Sequence, residues 1–146
     1  MDVGLHLGVE VFFTAAKVTE RDLEGTGELI PVGGASVVSQ RGSNDPRAWK
    51  WTMGSEAMQF DVNAFALAKA AEVLASTYVE GVAPPQVIYI LSTDNSALQA
   101  IQNPRSIKAH AHCIRFHKVL TTFFLIHRDV RIVLAWSPKN DDVMDA

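Results

Sequence analysis

The sequence has little cysteine, no long apolar run and no large excess of charge of either sign. Its one cysteine, Cys113, cannot form a disulfide within the chain, so we expect an intracellular protein that does not depend on disulfides. No apolar run reaches the ~18 residues of a transmembrane helix, which predicts that the protein has no membrane partner. Thirteen Lys and Arg against sixteen Asp and Glu give a net charge of −3. That balance argues against a protein that binds nucleic acid mainly through bulk positive charge.

The composition that remains is typical of one globular domain. Hydrophobic residues make up 48% of the chain and charged residues 20%, which excludes disorder over most of its length. A chain of this size buries ~68–70% of its unfolded surface, enough to form a core without disulfides. No internal repeat or low-complexity tract interrupts it. We therefore predict a single domain over residues 1–146.

The first third of the chain has the pattern of β-strands. Alternating β-branched and aromatic residues predict strands at Leu7–Thr14, Ala35–Gln40 and Ala48–Met53. The charged, glycine-containing segment between the first two predicts a long hairpin connection, and RGSNDP predicts the second turn. Three strands in this order indicate an antiparallel meander.

The rest of the chain alternates helices with strands. Apolar residues at helical spacing from Phe60 to Tyr78 predict a helix that ends near Glu80 and Gly81, and the apolar run Gln86–Ser92 predicts a strand buried on both faces. A short helix over Thr93–Gln102, a long one from Ser106 to about His127, and a strand at Val130–Ala135 follow. The order β-β-β-α-β-α-α-β predicts an α/β fold with one mixed, five-stranded sheet flanked by helices.

Particular segments in this order resemble the type 1 ribonuclease H domain, of the kind attached to reverse transcriptases of transposable elements. The clearest is YILSTDNSALQAIQNP, Tyr89–Pro104, which is similar to the family's buried strand, catalytic Asp and following helix. FDVNAFALAKAAEVL from Phe60, VRIVLAWSP from Val130, and VFFTAAK followed by VGGASVV resemble other elements of the family in the same order. The resemblance spans about Val9–Pro138 and implies a ribonuclease H-like fold.

The resemblance also implies a chemistry and a cofactor. The family hydrolyses the RNA strand of an RNA–DNA hybrid with two Mg²⁺ ions. Two such cations, ~3.5–4 Å apart, bind the attacking and leaving oxygens of an in-line displacement. Because Mg²⁺ prefers oxygen ligands, several carboxylates must converge. The implied cofactor is therefore Mg²⁺ or Mn²⁺ if the domain is active, and none otherwise.

Carried over residue by residue, the family's acids are only partly present. Ala15 falls at the position of the first-strand Asp, Asp61 at that of the helix Glu, and Asp94 at that of the strand-end Asp. The fourth acid has no clear counterpart, although Asp141, Asp142 or Asp145 could replace it. The resemblance thus implies a degenerate site, with Asp94 and Asp61 as its remaining catalytic and metal-binding residues.

Simpler structural roles are open for both acids. Asp94 is followed by Ser96 at the start of a predicted helix, where Asp and Ser are common N-cap residues. An acid in a first helical turn, such as Asp61, is also favoured by the helix macrodipole.

Other side chains on the long helix suggest metal or nucleic-acid binding. His110, Cys113 and His117 share one helical face, which could bind zinc or could face the core. Basic residues that could contact a phosphate backbone, or form a solvated helix face, are Lys108, Arg115 and Lys118.

We predict a catalytically impaired ribonuclease H-like domain, a pseudoenzyme retained for nucleic-acid or protein binding. One alternative is an active divalent-metal-dependent nuclease that uses Asp61, Asp94 and a C-terminal Asp. Another is an oligomerisation or interaction module without a nucleic-acid role.

The expected partners are an RNA–DNA hybrid or other nucleic acid, and a second copy or a protein that covers apolar side chains of VRIVLA or the long helix. MDVGLHLG could cover them within the chain.

Overall fold

The fold is that of a computed structural model, which describes residues 8–22, 25–55, 59–103 and 110–137. Within these ranges, eight elements follow one another in the predicted order. They are β1 (Val9–Asp22), β2 (Leu29–Arg41), β3 (Arg47–Ser55), α1 (Gln59–Thr77), β4 (Val87–Ser92), α2 (Asn95–Gln102), α3 (His110–Ile126) and β5 (Arg131–Trp136). No helix of this described part is long and apolar enough to cross a membrane.

The five strands form one mixed sheet in the order β3-β2-β1-β4-β5. β1 and β2 are antiparallel, as are β2 and β3, whereas β4 is parallel to both β1 and β5. The predicted α/β fold, with its antiparallel meander followed by helix-connected strands, is confirmed.

The hairpin of β1 and β2 is longer than the sequence predicted. The segment expected to be a loop is mostly strand, because β1 continues to Asp22 and pairs there with Leu29 of β2. The alternation of Thr and charged residues in this region suits a solvent-exposed ribbon, where polar side chains lose little on strand formation. Near the turn, Gly25 and Gly27 have φ values of 77° and 80°, which glycine adopts without the Cβ clash of other residues.

The core lies between the sheet and the helices. Phe12, Val37, Ile88 and Ile90 are fully buried on one face of the sheet, where they pack with α1, α2 and α3. The many alanines of α1, buried along its length, allow the helix to approach the strands closely. Phe116 and Phe123 complete the core from α3.

A buried polar network joins β1 to the end of α1. The Tyr78 hydroxyl donates to the carboxylate of Glu10, which is 2% exposed, and accepts a bond of 3.3 Å from Arg41 Nη1. His127 Nε2 lies 2.8 Å from the Tyr78 carbonyl oxygen and so ties the end of α3 to the same point. Burial, followed by the hydrogen bond to Glu10, raises the pKa of Tyr78 to about 12.

We predict that Tyr78→Phe lowers the free energy of unfolding by about 1–3 kcal/mol at neutral pH, because Glu10 loses a buried donor. The pH dependence has a definite sign. The folded-state pKa of about 12 exceeds the unfolded value of 10.0, so the Tyr78 contribution is complete below pH 10 and is lost as pH rises through about 12. Chemical denaturation from neutral pH to pH 12 measures both effects, and Tyr78→Phe should lack that part of the alkaline decline.

Tyr89→Phe is the matched control, since Tyr89 projects from the opposite face of the sheet and lies outside this network. It should keep the wild-type alkaline decline. A Tyr78→Phe variant whose stability falls as steeply as that of the wild type in this pH range would contradict the assignment.

Candidate functional site

The candidate site lies where β4 ends beside β1. In the parallel pairing of these strands, Thr14 is opposite Ser92, and the Thr14 hydroxyl donates to the carbonyl oxygen of Leu91 at 2.8 Å. Ala15 is the next residue of β1, and Asp94 follows two residues after Ser92. The structure therefore places the positions of the first-strand and strand-end acids at the same end of neighbouring strands.

Asp94 is the N-cap residue of α2. It has an extended backbone, with φ −114° and ψ 107°, and its Oδ1 accepts hydrogen bonds from the backbone N–H groups of Ser96 at 2.8 Å and Ala97 at 3.4 Å. Such a cap satisfies N–H groups that the first turn of a helix leaves without partners. The capping role is therefore present in the fold, and one carboxylate oxygen is committed to it.

The other carboxylate oxygen of Asp94 accepts a hydrogen bond from α1. The donor is the side-chain amide of Asn63, whose Nδ2 lies 3.0 Å from Asp94 Oδ2. Asn63 is 4% exposed and Asp94 is half-buried, so the amide end of this contact is shielded from water. The amide must present its NH₂ group, because the flipped orientation would set two acceptor oxygens against each other. An amide hydrogen thus points at the Asp94 carboxylate.

The structure brings Asn63, rather than Asp61, to Asp94. The two residues are two positions apart on α1, which turns their side chains about 200° away from each other around the helix axis. Asp61 instead acts on α3: burial lowers the pKa of His112, and the Asp61 charge partly offsets this effect. In this structure the residue of α1 that contacts Asp94 is therefore Asn63, two positions after the predicted Asp61.

The spacing of α1 contains a signal that identifies Asn63. Leu67, Ala70 and Leu74 lie four, seven and eleven residues after it, on the same buried stripe. A polar residue in phase with such a stripe has to find a buried partner. The prediction followed the charge of Asp61 instead of this periodicity.

The site therefore contains the Asp94 carboxylate and the Asn63 amide, whereas Ala15 lies in the alternate row of β1 and projects from the opposite face of the sheet. Within the described ranges, no group of three or more His, Cys, Asp or Glu side chains could hold a metal ion. Two divalent cations need several anionic ligands between them to offset their mutual repulsion, and here Asp94 alone carries a charge. These residues do not fit a two-metal centre. Asp141, Asp142 and Asp145 lie outside the described residues.

The predicted basic residues occupy different environments. Arg115 Nε lies 3.3 Å from Glu72 Oε1, so an acid of α1 partly neutralises its charge. Lys118 is exposed on α3, and Lys108 lies outside the described residues.

The residues suggested for zinc have other contacts. Cys113 is 4% exposed in the core, and burial raises its pKa, which favours the thiol over the thiolate that zinc binds. His117 Nε2 lies 2.6 Å from the carbonyl oxygen of Ile101 in the last turn of α2. The His110 side chain lies outside the described part of the structure.

Comparison with solved structures identifies the fold. LC11-RNase H1, isolated from compost by a metagenomic approach, has a TM-score of 0.64 and 13% identity, over 94% of this chain and 89% of that chain. RNase H1 from the halophilic archaeon Halobacterium salinarum NRC-1 has a TM-score of 0.59 and 12% identity, over 93% and 99%. The N-terminal RNase H domain of rv2228c from Mycobacterium tuberculosis has a TM-score of 0.60 and 11% identity, over 88% of each chain. The protein therefore has a ribonuclease H-like fold. No protein-family model and no curated protein matches the sequence.

We predict that Asp94→Ala lowers the free energy of unfolding by about 1–2 kcal/mol, because α2 loses its cap. The loss also leaves the buried amide of Asn63 without this acceptor. Asp94→Asn is the matched control, since its side-chain oxygen can still cap the helix, and it should cost clearly less. Thermal and urea unfolding of the two variants measure the difference. Equal stability of Asp94→Ala and the wild type would contradict the role of the cap.

Proposed function

We propose that this ribonuclease H-like domain binds nucleic acid without hydrolysing it. The observation that carries the proposal is the hydrogen bond from Asn63 to Asp94. It places an N–H donor where a hydrolytic site needs a second anionic ligand, while the remaining Asp94 oxygen caps α2. Binding does not need the missing acids, because phosphate recognition relies on basic side chains and backbone N–H groups.

An RNA–DNA hybrid is the ligand class that the fold favours. LC11-RNase H1, a structural neighbour with 13% identity and a TM-score of 0.63, was crystallised in complex with an RNA/DNA hybrid. Lys118 and Arg115 offer positive charge on α3, and Lys108 precedes that helix in the sequence. Since the chain carries a net charge of −3, we expect weak binding that depends strongly on salt.

The sequence resemblance also supports an origin for the domain. The Tyr89–Pro104 segment is similar to ribonuclease H domains attached to the reverse transcriptases of transposable elements. We propose that the chain derives from such a domain, with a substitution at Asn63 that removed one of its acids. The single cysteine supports an intracellular location.

An active nuclease is the less favoured alternative. It would need Asp61 and a C-terminal acid beside Asp94, but Asp61 lies on a different side of α1 from the residue that contacts Asp94. Asp141 and Asp142 would have to supply the remaining charge.

An interaction module is a second candidate, which exposed apolar side chains at the ends of α1 and α3 favour. Leu125 is 67% exposed, Ile126 46%, Val79 50% and Val82 42%. Leu125, Ile126 and Val82 line one cavity of about 480 Å³ together with Pro84. Apolar clusters of this kind commonly mark protein contacts.

We predict that the full chain does not cleave an RNA–DNA hybrid in the presence of Mg²⁺ or Mn²⁺, while it retards a labelled hybrid at low salt. Lys118→Glu should weaken that binding, whereas Lys50→Glu, on the sheet, makes the same charge change as a control. Cleavage that depends on the metal and is lost in Asp94→Asn would overturn the proposal. Absence of both cleavage and hybrid binding would favour the interaction module.

The role of Asn63 can be tested by introducing an acid. We expect Asn63→Glu to raise Mn²⁺ affinity measurably in calorimetry, because its carboxylate would then face that of Asp94. Asp61→Glu is the matched control and should give no comparable gain, since Asp61 lies on another side of α1. If Asp61→Glu gained as much affinity, Asp61 and not Asn63 would be the helix position of the site.

A further inference from the structure

The three helices of the described part of the chain pack on one face of the sheet, and the opposite face presents a second set of apolar side chains. Because the register pairs Val11 with Tyr89 and Tyr89 with Val133, these three residues project from the same face. Phe12 and Ile90, in the alternate rows, belong to the helix-packed core. We call the opposite side the helix-free face. Its partly exposed apolar residues include Val11, Phe13, Val38, Tyr89, Leu91 and Val133.

The charged side chains that the described strands place on the helix-free face are all basic. Lys17 lies on β1, Lys50 on the edge strand β3 and Arg131 on the edge strand β5, and all three are exposed. Glu10, in contrast, projects toward the helices and is buried. This one-sign distribution occurs in a chain whose net charge is −3, so positive charge is concentrated around an apolar surface.

The dimensions of the apolar area limit what can bind there. Four strands at ~4.8 Å spacing and six residues at ~3.3 Å rise give a surface of about 19 Å by 20 Å. A helix with its side chains is ~10–12 Å wide and ~1.5 Å long per residue, so one helix of about 14 residues would cover its centre. A stable dimer buries roughly 800 Å² on each partner, which is more than this surface offers.

We propose that the helix-free face binds an acidic amphipathic helix of a partner protein. The apolar stripe of that helix would cover Val11, Tyr89 and Val133, and flanking acids would pair with Lys50 on one edge strand and Arg131 on the other. The central side chains are mainly aliphatic, which suits a Leu- and Ala-rich stripe better than stacked nucleic-acid bases. The proposal does not depend on whether the Asp94 site hydrolyses a substrate.

The probe is a labelled peptide of about 14 residues, with Leu or Ala at helical spacing on one face and Glu at the other positions. A second peptide carries Lys in place of every Glu. Fluorescence anisotropy with the full chain should show the acidic peptide binding at least roughly tenfold more tightly than the basic one at low salt, with the preference reduced at high salt. Amide shifts in NMR spectra should change around Tyr89 and Val133.

Variants of exposed residues locate the site without disturbing the core. Lys50→Glu with Arg131→Glu should weaken binding of the acidic peptide roughly tenfold. Arg115→Glu with Lys118→Glu changes the net charge equally, but both residues lie on α3, on the other side of the sheet, and this pair should have little effect.

Several results would overturn the proposal. Equal affinity for the acidic and basic peptides, or equal effects of the two double variants, would show that Lys50 and Arg131 do not recognise the peptide by charge. A dimer in light scattering that Lys50→Glu with Arg131→Glu dissociates would identify a second copy as the occupant. Single-stranded oligonucleotide binding lost in the same variant would identify nucleic acid. A soluble paramagnetic probe that fails to reach Tyr89 would show that the chain itself covers this face.

Discussion

Parallel pairing between β1 and β4 joins the antiparallel first half of the chain to its α/β second half. The pairing places Phe12 beside Ile90, and both are fully buried beneath the helices. A slip of one residue would turn the apolar row of β1 away from the core and bring Glu10 out of the reach of Tyr78. The same register sets Thr14 opposite Ser92, so the position of the candidate site follows from the packing of the core.

The amide of Asn63 beside the carboxylate of Asp94 has a physical consequence for stability. Two carboxylates at the Asn63 and Asp94 positions would repel each other in a poorly solvated pocket unless a cation lay between them. The Asn63 amide donates to Asp94 across the 3.0 Å gap and removes that requirement. Active sites commonly hold like charges at a cost to stability. Here the Asn63–Asp94 pair needs no cation, and Asp94 stabilises the start of α2.

The sequence predicts the order of elements well because each buried stripe imposes its own period. The apolar run of β4 predicts a buried strand, and the helical spacing of apolar residues in α1 predicts a helix, so few other assignments fit these segments. The outer part of β1 could not be predicted in this way, since Lys17 and Thr19 lie in a ribbon held mainly by backbone pairing to β2. Asn63 was missed for a different reason. Charge was given priority over helical phase, although only the phase determines which side chain faces Asp94.

The sheet also separates two kinds of surface that composition cannot distinguish. Tyr89, Ile90 and Leu91 are consecutive apolar residues of β4. Ile90 is buried beneath the helices, whereas Tyr89 and Leu91 remain partly exposed. A strand pattern apolar on both faces is normally explained by burial on both faces. In the described part of this protein, helices account for one face only. The apolar character of the other face then needs its own explanation, and the basic side chains that the described strands carry on it, Lys17, Lys50 and Arg131, support the proposal of an acidic partner.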